Sequence, residues 1–95
     1  MNFHTQIEEK VVMEVQEIRD QIESHNQEAI LWNGLDRCIQ GVSADGRAVY
    51  SIELILEHFV NEGMDAEEAS EYFYYNLQGA NVGPFTPIHI YQITN

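Results

Sequence analysis

The chain has 95 residues, enough for one domain with a modest core and a stability of a few kcal/mol. Its 44% hydrophobic and 11% aromatic content is that of a globular protein, and no apolar run approaches the ~20 residues of a membrane span. Sixteen acids against four bases give a net charge of −12, which argues against docking on nucleic-acid phosphates or on an anionic membrane.

Residues 3–25 read as one long amphipathic helix. Ile7, Val11, Val15, Ile18 and Ile22 form a stripe at helical spacing, with Glu8, Glu9, Glu14, Glu17, Asp20 and Glu23 on the other faces. From Ala29 the period changes. Ala29 to Trp32 is a short apolar run ending at the turn dipeptide Asn33-Gly34. Cys38 to Val42 is a second extended segment, Ser43-Ala44-Asp45-Gly46 is a hairpin turn, and Arg47 to Tyr50 runs back. Ser51 is a good N-cap for a helix over 52–62, which Gly63 stops. Asp65 followed three residues later by Glu68 has the form of a capping box, and it opens a helix through about Leu77. Ala69, Tyr72, Phe73 and Leu77 are its expected buried positions. Gly79, Gly83, Pro84 and Pro87 imply a defined loop, and 88–93 is a terminal strand.

The expected fold is therefore α+β, one domain over 1–95 in the order α-β-β-β-α-α-β. A small antiparallel sheet of three to four strands should pack with three helices. The core should include Ile30, Trp32, Ile39, Val49, Leu56, Phe59, Phe73 and Ile90.

No catalytic motif stands out. There is no phosphate-binding glycine loop, no metalloprotease helix, no nucleophile elbow and no paired CxxC. The four histidines are never at i, i+4, and the acids between 62 and 68 lack the ordered spacing of a calcium loop, so neither a metal nor another cofactor is expected. His58 and His89 are expected half-buried beside the core. The lone Cys38 cannot form an internal disulfide and, inside a strand, should be an inert buried thiol. The sequence is not read as an enzyme.

Two features point instead to binding. No Lys or Arg occurs from Ala48 onward, while that half carries seven acids. Tyr72-Phe73-Tyr74-Tyr75 places four aromatics in a row on a helix, where successive side chains point about 100° apart. Tyr74 or Tyr75 must then be partly exposed.

Asn33-Gly34-Leu35-Asp36, Gly41, Ala48-Val49-Tyr50, Gly63-Met64-Asp65-Ala66-Glu67-Glu68-Ala69, Asn76, Gly79-Ala80, Gly83 and Thr86-Pro87 carry a resemblance. Over about residues 29–90 the chain resembles a family of small uncharacterised proteins encoded in bacteriophage and prophage genomes. The long acidic N-terminal helix departs from that pattern. The resemblance implies an accessory protein acting in the cytoplasm of a bacterial host, consistent with an N-terminus, Met1 to Gln6, that has no signal-peptide character.

The leading expectation is a non-enzymatic protein that inhibits or modulates a host protein with a basic surface, in an anti-defence or regulatory role. Glu53, Glu57, Glu67, Glu68, Glu71, Tyr74 and Tyr75 are its candidate contact residues. The alternative is a small-ligand or nucleotide-signal sponge in which Tyr50, Tyr74, Tyr75 and the 79–87 loop stack a base. Helix 1, at about 1.5 Å per residue, is longer than a small sheet is wide. A homodimer through Ile7, Val11 and Val15 is therefore also expected, and sedimentation at micromolar concentration would read it.

Overall fold

The computed structural model describes residues 15–93. Within that range the chain is α+β, with three helices and a three-stranded sheet. Helix α1 spans 15–25, and residues 3–14 of the helix read from the sequence lie outside the described residues. Ile22 is buried in the core and Ile18 packs against it, so the lower part of the apolar stripe lies on this domain's own sheet. Asn26 ends the helix and ties it to the hairpin. Its backbone N–H donates to the Ile22 carbonyl, and its side-chain Nδ2 donates to the Gly46 carbonyl at 3.0 Å.

The segment after α1 differs from the sequence expectation. Ala29 to Trp32 runs without regular secondary structure instead of forming a strand. The reason lies in its partner. The Trp32 N–H, which a ladder would pair with a neighbouring backbone, donates to the Tyr50 hydroxyl at 2.8 Å. Gly34 then takes φ +81°, the conformation for which glycine is suited, and Asp36–Cys38 form a single 3-10 turn. Cys38 thus precedes the strand rather than lying in it.

Strand β1 covers Ile39–Val42 and strand β2 covers Ala48–Ser51. They pair antiparallel across the expected 44–47 turn, where Gly46 has φ +84° and the Ser43 hydroxyl accepts from the Arg47 N–H. Gln40 is bulged out between the Ile39–Tyr50 and Gly41–Val49 pairs. Ser51 caps helix α2, Ile52–Asn61, by accepting from the Leu54 N–H at 3.2 Å. Asp65 and Glu68 form the complete capping box that opens helix α3, Ala66–Tyr72. Residues Phe73–Gln78 continue α3 as a π-helix, in which the Gly79 N–H reaches the Tyr74 carbonyl five residues back.

Strand β3, Ile88–Ile90, pairs with β2 in parallel register, Tyr50 facing His89. The sheet order is β1-β2-β3, so the sheet is mixed rather than purely antiparallel. The cause is the excursion through α2 and α3, which carries the chain back to the starting end of β2 before it re-enters the sheet.

The core gathers Ile22, Leu35, Cys38, Ile39, Ala48, Tyr50, Ile52, Ile55 and Phe73. Ile39 and Phe73 occupy it as expected, while Ile30, Trp32, Val49, Leu56 and Phe59 are half-buried. Two positions differ. Ile90 is 37% exposed because β3 is an edge strand, and Tyr72 is 44% exposed because Phe73, its neighbour, takes the inward direction of α3.

Candidate functional site

The seven contact residues read from the sequence fall into three neighbourhoods. Glu53 belongs to the first, and it is structurally engaged. From the first turn of α2 its Oε1 accepts from the Gln92 N–H at 3.2 Å and from the Ser51 hydroxyl at 3.3 Å. Backbone N–H groups, its own and that of Gln92, hold its carboxyl below the usual range. Gln92 also bonds Gln40 through its side chain, so the segment after β3 is tied across the sheet. Tyr74 stands in this same neighbourhood. Its hydroxyl bonds that of Tyr91, and this contact, with Glu53 nearby, raises the Tyr91 phenol.

Glu57 lies apart, exposed on α2 and close enough to Cys38 for its charge to act on the thiol. Burial, then Glu57, then Asp36 push the Cys38 thiol up to about 11, which keeps it protonated and a poor nucleophile at neutral pH. A hollow opens beside it between Val15, Gly34, Asp36, Arg37, Cys38 and His58. Asp36 receives Arg19 Nε on Oδ2 at 2.9 Å, while its Oδ1 has no hydrogen-bond partner. Of the three residues proposed for a dimer contact, Val15 lines this hollow and is half-buried, and Ile7 and Val11 lie outside the described residues.

The third neighbourhood is the outer face of α3. Glu67, Glu68 and Glu71 are exposed there, and Tyr75 is 83% exposed. Glu68 also works in the capping box, its N–H holding the Asp65 carboxyl low. Glu71, Glu68, Tyr72, Tyr75, Met64 and Asn76 line one shallow hollow. The face is braced from below: the Tyr72 ring stands edge-on to Phe59 at 5.0 Å, and Asn76 Nδ2 donates to the Tyr72 carbonyl at 3.0 Å. The sequence expects Tyr72 buried and gives Met64, here half-buried, no part in a contact surface. Tyr72 fits the apolar stripe of α3 as well as Phe73 does, and only the packing decides between them.

A separate polar cluster joins three parts of the fold. Trp32 Nε1 donates to His89 Nε2 at 2.9 Å, and His89 Nδ1 lies 2.9 Å from Gln78 Oε1. The Gln78 oxygen can only accept, so the imidazole is neutral with its proton on Nδ1. The Trp32 and His89 rings lie within 7° of parallel, and Phe73 meets the imidazole edge-on at 5.1 Å. Burial, reinforced by Arg47, pushes the His89 pKa down.

The base-stacking arrangement loses its first member. Tyr50 is fully buried, burial raises its phenol to about 12, and its oxygen already accepts from Trp32. The 79–87 loop is also closed upon itself. Thr86 Oγ1 accepts from the Val82 N–H and donates to the Gly83 carbonyl, and Arg47 donates to the Thr86 carbonyl at 2.6 Å. Among the described residues no three His, Cys, Asp or Glu side chains are grouped to hold a metal ion, and no helix is long and apolar enough to cross a membrane.

Comparisons with family models, with curated proteins and with solved structures find no match to this chain. The resemblance to phage-encoded proteins therefore rests on its punctuating residues alone.

Proposed function

We propose that this chain is a non-enzymatic accessory protein that binds a protein with a basic surface and modulates or inhibits it. The observation that supports the reading is the charge of the α2–α3 surface. The chain has no Lys or Arg after Arg47, and the ion pairs among the described residues, Arg19–Asp36 and His58–Glu62, leave Glu67, Glu68 and Glu71 unneutralised. Carboxylates presented in that way steer a basic partner to the surface and make its association sensitive to salt. The resemblance stated above is what supports reading the partner as a bacterial host protein and the setting as its cytoplasm.

The immobilised chain should retain a basic protein from a bacterial lysate at low salt and release it as salt rises. Mass spectrometry of the eluate identifies what was held. A lysate from which nothing is retained at low salt, or a partner held equally well at 1 M salt, where the screening length is ~3 Å, would count against the proposal.

A further inference from the structure

We infer that the hollow on the outer face of α3 seats an arginine side chain of the basic partner. This inference rests on the proposed function and narrows it to one place. The walls of the hollow are of two kinds. Tyr72, Tyr75 and Met64 supply ring faces and a thioether, and Glu68, Glu71 and Asn76 supply polar groups. Tyr75 is 83% exposed and Tyr72 is 44% exposed, so a large aromatic area faces water. Two of its walls are ordered before binding, Tyr72 by its contact with Phe59 and Asn76 by its bond to the Tyr72 carbonyl.

Charge complementarity selects the occupant. An apolar segment would strip water from Glu68 and Glu71 without pairing them, which is costly. An anion is repelled by the same groups. A second copy of this chain brings another −12 charges to the contact. A cation that also presents a flat face meets both kinds of wall. Guanidinium does this, lying against a tyrosine ring while its N–H groups donate to a carboxylate. The lysine ammonium is a compact, strongly hydrated charge and cannot lie flat on the ring in the same way.

The test uses blocked hexa-arginine, hexa-lysine and hexa-citrulline peptides, titrated at low salt into the full chain and followed by calorimetry and by amide chemical shifts. Hexa-arginine should bind tighter than hexa-lysine, hexa-citrulline should not bind, and the shifts should centre on residues 64–76. Tyr75→Ala and Glu71→Gln should each weaken hexa-arginine about two- to fivefold. Both side chains are exposed, so neither variant should disturb the fold. If Tyr75→Ala and Glu71→Gln bind hexa-arginine as well as the parent does, or if the shifts centre on α1 or on a self-contact, the α3 hollow is not the seat. Binding of a basic protein through acidic surface elsewhere would survive that result. If no basic peptide binds at low salt, this inference and the proposed function fall together.

Discussion

Replacing Phe73 by alanine should bring the protein close to unfolding. Phe73 has no exposed surface and sits where α3 passes into its π-helical end, with its ring against His89 and Tyr74. Removing a buried phenylalanine ring costs about 3–5 kcal/mol, because the transfer energy is lost and the space is not fully refilled. Native domains hold only about 5–15 kcal/mol, and one this small sits at the low end of that range. Urea unfolding followed by far-ultraviolet circular dichroism should show the midpoint falling by half or more, or no folded baseline at all. A loss below about 1 kcal/mol would mean that the core can close over the gap, and that the π-helical turn is not anchored there.

The second large effect belongs to His89 and depends on pH. In the folded chain its Nε2 must stay unprotonated to accept from Trp32, and burial lowers its pKa below the ordinary 6.5. In the unfolded chain it titrates near that ordinary value. Between the two values the unfolded state binds more protons, so stability rises with pH there. The contribution is complete above about pH 6.5 and is lost as pH falls through 6.5 toward the lower folded pKa. Below that value it no longer changes. Glu53 and Asp65, whose carboxyls are also held low, lose their contributions in a separate and more acidic window.

His89→Leu should remove the dependence between pH 7.5 and 5.5. It should also cost about 1–3 kcal/mol at neutral pH, because the Trp32 indole N–H loses its acceptor. Trp32 is the chain's one tryptophan, so its emission reports the same event. A parent whose stability is flat over that range, or a His89 ring that titrates at or above 6.5, would contradict this assignment.

Local chemistry in the sequence marks the element boundaries well. The Ser51 cap, the Asp65–Glu68 box and the Asp45–Gly46 turn each use side chains within four residues of the groups they satisfy. Such signals survive whatever the rest of the chain does. The segment Ala29 to Trp32 was misread because its apolar residues suit a strand, while its hydrogen-bond partner is a side chain 18 positions away. The parallel pairing of β3 was equally hidden. Two helices separate it from β2, and nothing in their sequence fixes the end at which the chain returns.

The same distinction holds at the site. Tyr75 is outward because four consecutive aromatics cannot share one face. Which of Tyr72 and Phe73 points inward depends on His89 and Phe59, far away in sequence. The acids were all visible, but not their duties. Glu53 holds the segment after β3 and Glu68 closes a helix cap, so only part of the expected contact set is free of structural work.

The side chains of Glu67 and Glu71 are exposed and take no part in those caps or ties, and they give the most direct test of the acidic surface. The measurement is the affinity of the Glu67→Lys, Glu71→Lys double variant for the retained partner at low salt, beside that of the parent, with circular dichroism confirming the fold of both. The account predicts a loss of at least about tenfold, shrinking as salt is added. An affinity equal to the parent's at low salt would contradict it.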